Sequence, residues 1–329
     1  MAEAIPMVEL WRGGRVESVH RGHAVICDAR GRVVEAWGTP ETLIYPRSSC
    51  KMVQAVPLVE AGAARGLSDA HLALACASHE GAAMHTQLVA RWLADMGLGE
   101  ADLLCGAHEP YDRAARDALI RRHAAPDQTH NNCSGKHAGF LALSGHLGAG
   151  ADYIAPDHPV QLRVRSAFED LTDLQSPGFG IDGCSAPNFA TTLHGLARAM
   201  AFFAAADPQG DTRARAAARL TGAMCRHPEL VAGEGRACTE LMHAMGGRVA
   251  IKTGAEAVFV AILPEQRLGV ALKIADGATR AAEAAIAVLL VRLGVLEAGH
   301  PATLRRLDAA QRNWRGLEVG RLRAAPGFP

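Results

Sequence analysis

The hydrophobic pattern divides the chain into strand-like ends and a helix-like middle. Near the N-terminus, HAVICDARGRVVEAW has two β-rich arms around a turn signal, which predicts a hairpin. After about residue 235 the β-rich pattern returns in RVAIKTG and in AVFVAILPEQRLGVALKI, where PEQR predicts a second hairpin. A last helix, GATRAAEAAIAVLLVRLGV, is predicted to close the chain.

Between about residues 82 and 230, apolar residues recur with the helical period. The helices predicted there are AMHTQLVARWLADMG, DRAARDALIRRHA, DHPVQLRVRSAFEDL, NFATTLHGLARAMAFFAAA and DTRARAAARLTGAMCRH. We therefore expect a single α/β (α+β) domain, with an antiparallel sheet from both termini flanked by helices and a helical region inserted. The sheet part would contain residues 1–78 and 235–329 and the helical part residues 79–234, with the chemistry between them.

Composition narrows the classes of function. The 329 residues contain 34 Lys plus Arg and 34 Asp plus Glu, so no basic excess indicates a nucleic-acid or membrane-surface partner. No apolar run is long enough to span a bilayer, and MAEAIPMVELWRGG does not read as a signal peptide. We expect a cytoplasmic enzyme or binding protein whose 8 cysteines, none in a CxxC pair, are free thiols.

The segment YPRSSCK contains three candidate nucleophiles and one amine. A helix predicted to begin near Pro46 would bring only Ser48 onto the same face as Lys51, because residues three apart are neighbours on a helix. Ser-x-x-Lys is a known nucleophile-and-base arrangement, although it also occurs by chance at ordinary helix starts. A lysine base must be neutral, which burial or neighbouring cations favour, and Arg47 could supply such a field or bind a carboxylate.

A second motif strengthens the first. Lys252-Thr253-Gly254 lies on a predicted C-terminal strand, and serine β-lactamases and penicillin-binding proteins combine such a strand with an early Ser-x-x-Lys helix. Ser78, in ACASHEGAAMH, could be a helix N-cap or a second hydroxyl near the first.

Five blocks resemble one known family. YPRSSCKMVQAVPLVE, CASHEGAAMHT, HNNCSGKHAGFLAL, IDGCSAPNFA and KTGAEAVFVA are similar to the signature blocks of the rhizobial-type L-asparaginases, the asparaginase II domain family. The resemblance implies a serine β-lactamase-like and glutaminase-like fold, a homodimer, and hydrolysis of L-asparagine to L-aspartate and ammonia.

The resemblance also implies roles for individual residues. It gives two serine–lysine pairs, residues that orient the substrate, and a zinc site. These are Ser48 with Lys51, Ser78 with Lys252, the orienting residues Arg47 and Asp182, His137 and Cys238 near the pocket, and the zinc ligands Cys133, Lys136 and Cys184.

The zinc expectation depends on the resemblance. Two thiolates are good zinc ligands, but the spacing of Cys133 and Cys184 is no recognisable zinc pattern, and alone it favours buried thiols. A lysine ligand is unusual because the amine must first lose its proton. We expect the zinc to organise the pocket rather than to be essential to the chemistry.

The expected reaction is amide hydrolysis through an acyl-enzyme on Ser48, with Arg47 binding the α-carboxylate and Asp182 the α-amine. Two alternatives stay open, a penicillin-recognising serine hydrolase and a glutaminase on the same fold. The sequence does not separate asparagine from glutamine, which differ by one methylene.

Overall fold

The computed structural model describes residues 3–329. Its strands are β1 (Ile5–Arg12), β2 (Arg15–Cys27), β3 (Val33–Trp37), β4 (Leu43–Ile44), β5 (Phe179–Ile181), β6 (Pro187–Phe189), β7 (Thr191–Thr192), β8 (Ala250–Gly254), β9 (Val258–Leu263), β10 (Leu268–Ile274), β11 (Ala309–Arg312) and β12 (Glu318–Ala324). Its helices are α1 (Lys51–Glu60), α2 (Asp69–Ala75), α3 (Ala83–Asp95), α4 (Arg113–Arg121), α5 (Ser134–Leu147), α6 (Pro159–Thr172), α7 (Leu193–Ala205), α8 (Thr212–Arg226), α9 (Pro228–Val231), α10 (Ala237–Ala244), α11 (Thr279–Arg292) and α12 (Pro301–Leu304). No helix in this range is long and apolar enough to cross a membrane.

The chain divides into two compact units. The first contains the described residues up to Ser49, Thr192–Ala205 and Glu240–Pro329, and the second contains Cys50–Thr191 and Ala206–Thr239. The first unit therefore joins both ends of the chain to one helix from its middle, α7, and the second unit is mainly helical.

One antiparallel sheet dominates the first unit. Its strand order is β11-β12-β1-β2-β10-β9-β8. Strand β3 pairs with the last residues of β2, 24–27, on the edge where the pairing of β2 with β1 has ended. The two ends of the chain meet where β1 pairs with β12, with Val8 opposite Ala324, and where β2 pairs with β10, with Val25 opposite Ala271. The structure confirms the predicted fold class, the sheet built from both termini, and both predicted hairpins, β2–β3 and β9–β10.

Helices α7 and α11 pack on this sheet. Gly269 on β10 allows a close approach of α7, because a Cβ there would lie 2.0 Å from the Ala201 nitrogen and 2.4 Å from the Ala197 carbonyl oxygen. The prediction that α11 closes the chain was wrong. The chain continues through α12 into β11 and β12, whose short, polar sequences belong to the edge of the sheet.

Helix α1 lies in the interior of the second unit. It packs against α5, α6 and α8, and every residue from Lys51 to Leu58 is buried, which explains why apolar residues lie on every side of it and only Lys51 and Gln54 in this range are polar. The predicted start near Pro46 was wrong, since α1 begins at Lys51 after a 3₁₀ turn over Arg47–Cys50. Arg47 has a φ of 53°, a left-handed conformation that cannot belong to a right-handed α-helix.

The second unit also contains a small hairpin of β5 and β6. In its register Phe179 faces Phe189, Gly180 faces Asn188 and Ile181 faces Pro187. The helix predicted from Asn188 begins only at Leu193, because the preceding residues form β6 and β7.

Candidate active site

Ser48 lies in the turn that precedes α1. Arg47, immediately before it, adopts the left-handed conformation at a cost of about 1–3 kcal/mol, which surrounding structure must offset. The next residue, Ser49, is fully buried and donates hydrogen bonds from its backbone nitrogen (3.2 Å) and its Oγ (2.7 Å) to the Pro46 carbonyl. Ser49 therefore holds the turn closed, whereas Ser48 is only partly buried.

The Lys-Thr-Gly strand passes beside this turn within the first unit. A Cβ on Gly254 would lie 2.7 Å from the Pro46 carbonyl oxygen and 2.9 Å from the Ser49 nitrogen, so the contact requires glycine. Two residues earlier on β8, Lys252 is fully buried and its Nζ donates to the Thr253 carbonyl at 2.7 Å. The two sequence motifs thus meet at the Pro46–Ser49 turn.

The amine of Lys51 is buried in the second unit. Its Nζ donates to the carbonyl of Ala77, to Ser78 Oγ at 3.0 Å and to the carbonyl of Asn132 at 3.4 Å. The hydroxyl that receives this hydrogen bond is therefore Ser78. Ser78 lies between α2 and α3, and the N-cap of α3 is Ala82, so the reading of Ser78 as a helix cap was wrong.

The peptide of Asn132 connects several polar groups around Lys51. Its carbonyl also accepts from the His79 nitrogen at 3.2 Å, and its own N–H donates to His108 Nε2 at 2.9 Å. Its side-chain Oδ1 accepts from the thiol of Cys133 at 2.9 Å. Neither Asn131 nor Asn132 has a positive φ, so the asparagine pair contains no left-handed residue.

The third candidate nucleophile, Cys50, is a poor one. Its side chain is 2 % exposed, and burial raises the pKa of its thiol to about 12. The reactive thiolate is therefore disfavoured near neutral pH.

The three predicted zinc ligands lie together in the second unit. Lys136 Nζ donates to Cys184 Sγ at 3.0 Å, and all three residues are buried. The neighbouring Cys133 thiol lowers the pKa of Cys184 well below its ordinary value, against the effect of burial. Burial tends to lower the pKa of Lys136, but the Cys184 and Cys133 sulfurs outweigh this and raise it. Two sulfurs and an amine fit a zinc ion if the lysine gives up its proton.

Within residues 3–329, no three side chains among histidine, cysteine, aspartate and glutamate are grouped so that they could hold a metal ion. A site of two cysteines and a lysine falls outside that donor set.

His137 is fully buried one residue beyond Lys136. Its Nδ1 lies 2.9 Å from the hydroxyl of Tyr153, which accepts a hydrogen bond from the Leu104 nitrogen at 2.7 Å. Burial lowers the pKa of His137 to about 4, although the neighbouring Cys184 raises it. His137 is therefore neutral near pH 7, with its Nε2 buried and without a hydrogen-bond partner in the described chain.

Asp182 lies in the β5–β6 connection, two residues before Cys184. Its backbone nitrogen donates to the Ala186 carbonyl at 3.0 Å, and its charge acts on Lys136. Cys238 is buried on α10. The eleven predicted site residues are divided between the units. The first unit contains Arg47, Ser48 and Lys252, and the second contains Lys51, Ser78, Cys133, Lys136, His137, Asp182, Cys184 and Cys238.

Two further histidines, His79 and His108, are hydrogen-bond partners for backbone and hydroxyl groups. His79 accepts from the Gly81 nitrogen at Nδ1 (3.1 Å), contacts Ser134 Oγ through Nε2 (2.9 Å), and stacks on His85 at 4.8 Å. His108 supports Asn132, as described above. No sequence signal identified these roles, because they depend on backbone groups from distant segments.

A family model described as L-asparaginase II matches residues 8–324 of this chain. No curated protein matches it. A crystal structure of Mglu is 14% identical with a TM-score of 0.46, covering 84% of this chain and 67% of that chain. For Mglu in its glutamate form the identity is 14%, the TM-score 0.47 and the coverage 84% and 61%. A β-lactamase from Mycobacterium bovis is 12% identical with a TM-score of 0.47, covering 84% of this chain and 95% of that chain.

Proposed function

The chain belongs to the L-asparaginase II family, and we propose that it hydrolyses the side-chain amide of L-asparagine to give L-aspartate and ammonia. The observation that carries this proposal is the amine of Lys51. The amine is buried and donates to Ser78 Oγ and to two backbone carbonyls. Lys51 is also the first residue of α1, which directly follows the turn that contains Ser48.

In the proposed reaction, Ser48 Oγ attacks the side-chain carbonyl carbon while Lys51 takes the hydroxyl proton. Collapse of the tetrahedral intermediate breaks the C–N bond, and Lys51 passes the proton to the departing ammonia. Water then attacks the acyl ester, which releases L-aspartate and restores the Ser48 hydroxyl.

Lys51 Nζ donates to three acceptors, the carbonyls of Ala77 and Asn132 and Ser78 Oγ, which match the three N–H groups of an ammonium. To act as the base, Lys51 would first give up one of these protons, and its lone pair would then accept from a hydroxyl. Ser78, at 3.0 Å, would relay a proton or stabilise the intermediate, and its pairing with Lys252 stays a prediction.

The remaining residues have roles in binding. Arg47 would bind the α-carboxylate, Asp182 the α-amine, and the neutral imidazole of His137 would face a polar group of the substrate. We further propose that Cys133, Lys136 and Cys184 bind zinc, which would supply a fixed positive charge that organises this part of the site. A homodimer in the cytoplasm remains the expected state.

The decisive experiment measures ammonia release from L-asparagine, with L-glutamine and a chromogenic cephalosporin as rival substrates. Release from L-asparagine that Ser48→Ala abolishes would support the proposal. If Ser48→Ala kept near-normal activity and Ser78→Ala lost it, the two serines would exchange roles.

The zinc proposal is tested on purified protein by elemental analysis, with Cys184→Ser as the variant. We expect about one zinc per chain, retained by the wild type and lost from the variant. Wild-type protein that contains no metal and has full activity would contradict any need for zinc in turnover.

A further inference from the structure

The side chain of Asn188 is buried without hydrogen bonds. It is 4 % exposed, and neither its Oδ1 nor its Nδ2 has a hydrogen-bond partner within residues 3–329. Among the amides with fully inaccessible polar atoms in that range, Gln161 lacks a partner only at Oε1, whereas Asn188 lacks one at both ends. A buried amide without hydrogen bonds destabilises the fold, so its presence at this position calls for a functional explanation.

The pleat of the β5–β6 hairpin determines which way this amide points. Successive side chains on a strand point to opposite faces, and Phe189 packs against Phe168 of α6 with the ring centroids 6.1 Å apart. Asn188 therefore points to the other face of the hairpin. Its cross-strand neighbour there is Gly180, which has no side chain to fill the space beside the amide.

Asp182 belongs to the same face as Asn188. The ladder continues past β5 through the hydrogen bond from the Asp182 nitrogen to the Ala186 carbonyl, so the alternation extends by one residue. Asp182 is then the diagonal neighbour of Asn188, a relation in which Cα atoms are about 7–8 Å apart. One face of the hairpin thus presents a carboxylate, an unpaired carboxamide and a glycine.

We infer that Asn188 is a substrate-binding residue whose carboxamide hydrogen-bonds the α-amino-acid group of the substrate beside Asp182. This rests on the proposed function, and the ligand class is a small zwitterionic amino acid. A carboxamide offers a donor and an acceptor side by side, so Nδ2 donates to the α-carboxylate while Oδ1 accepts from the α-ammonium. The bound amino acid would thus provide the hydrogen-bond partners that Asn188 lacks within the protein, and the Asp182 carboxylate would provide a negative charge for the α-ammonium.

The test is Asn188→Leu, which keeps the shape of the side chain and removes both polar atoms. We expect the KM for L-asparagine to rise about 10- to 100-fold, with a smaller change in kcat, because hydrogen bonds to charged groups are lost. We also expect the urea midpoint of the ligand-free variant to equal or exceed that of the wild type, because an unsatisfied amide has been removed. An unchanged KM with a lowered midpoint would overturn the inference.

Asn131→Leu is the matched control, because Asn131 is also 4 % exposed but fully hydrogen-bonded, and its urea midpoint should fall. Should Asn188→Leu fail to fold, Asn188→Ala takes its place, and an unchanged KM in it overturns the inference.

A thermal shift with L-aspartate separates this inference from the proposed function. If the wild type released no ammonia from L-asparagine, the proposed function would fail. A shift present in the wild type and lost in Asn188→Leu would still support the role of Asn188, whereas equal shifts, or no shift in either protein, would overturn it.

Discussion

The loop before α5 and the β5–β6 hairpin each bury an asparagine side chain, but only the one in the loop is hydrogen-bonded. In the loop, Asn131 Nδ2 donates to the carbonyls of Cys105 (2.9 Å) and Gly106 (2.8 Å), and its Oδ1 accepts from the Cys133 nitrogen at 2.8 Å. In the hairpin, Asn188 is equally buried and its side chain makes no hydrogen bond in the described chain.

The difference separates two tasks. In the loop before α5 the buried amide of Asn131 is fully hydrogen-bonded, so its geometry is fixed before substrate binds. Such a loop is suited to position Lys51, which donates to the Asn132 carbonyl. In the hairpin the donor and acceptor of the Asn188 side chain remain available for a ligand, and leaving them unpaired lowers the stability of the ligand-free fold. The comparison predicts that substitutions in the loop alter rate and stability, whereas those in the hairpin alter substrate binding.

The largest expected effect is that of Lys51→Met on turnover. The variant keeps the length of the buried side chain but removes the base that the loop holds, so kcat for ammonia release should fall by about 10³-fold or more. Adding Ser48→Ala to Lys51→Met should change kcat little further, because the two groups act as one unit.

Lys273→Met is the matched control for this variant. Lys273 also donates from Nζ to backbone carbonyls, those of Glu256 and Ile274, but it lies on β10 and has no role in the proposed reaction. Its substitution should leave kcat nearly unchanged. Equal losses in both variants would mean that Lys51 acts only through the fold.

The second effect is on the free energy of unfolding. Asn131→Leu leaves the Cys105 and Gly106 carbonyls and the Cys133 N–H without partners, so we expect a loss of about 3 kcal/mol or more in urea denaturation. Asn188→Leu, at the same burial, should lose nothing. Similar losses at both positions would remove the distinction between the two regions.

How much of this the sequence predicted depends on the range of the interactions. Local patterns sufficed for the hairpins β2–β3 and β9–β10, and the motif glycine Gly254 indicated a strand that meets the serine turn. The start of α1 was missed because the left-handed Arg47 is a tertiary constraint. Strands β11 and β12 were missed because they contain little apolar surface: β11 is Ala-Ala-Gln-Arg, and β12 has one large buried apolar residue, Leu322, between two arginines.

The pairing of buried polar groups was out of reach for the same reason. Asn131 and Asn188 are the same residue type, both within blocks that resemble the family, and nothing local distinguishes them. Whether an amide finds a carbonyl depends on segments such as Cys105–Gly106, which lie far away along the chain.

A smaller effect is expected at His108, which supports the loop from outside. His108 Nε2 accepts from the Asn132 nitrogen, so His108→Leu should lower kcat about tenfold by loosening the carbonyl that binds Lys51. His108→Gln keeps an acceptor near the Nε2 position and should recover most of the rate. KM should stay within about twofold of the wild type in both variants, since the substrate contacts lie elsewhere. A change in KM without a change in kcat would contradict a positioning role.

The smallest effect concerns pH. It tests whether the hydrogen bonds beside the loop before α5, to which His79 contributes through Ser134 and the Asn132 carbonyl, exist in only one protonation state. Burial lowers the pKa of His79 well below 6.5, and its Nδ1 must stay unprotonated to accept from the Gly81 nitrogen. Below about pH 6.5 the unfolded chain therefore binds a proton that the folded chain does not, so stability falls as pH falls, by up to about 1.4 kcal/mol per pH unit for this residue.

Urea denaturation between pH 5 and 7 should reveal this contribution as a difference between proteins. His79→Gln is expected to be less stable than the wild type at pH 7, because it loses the acceptor for Gly81, but its stability should decline less steeply as the pH falls. His146→Gln, on the exposed part of α5, is the control and should leave the slope of the wild type unchanged. Parallel curves for His79→Gln and the wild type would mean that His79 can be protonated in the folded protein. The hydrogen bonds that His79 makes beside the loop would then not be fixed in one protonation state, which the comparison with the hairpin requires.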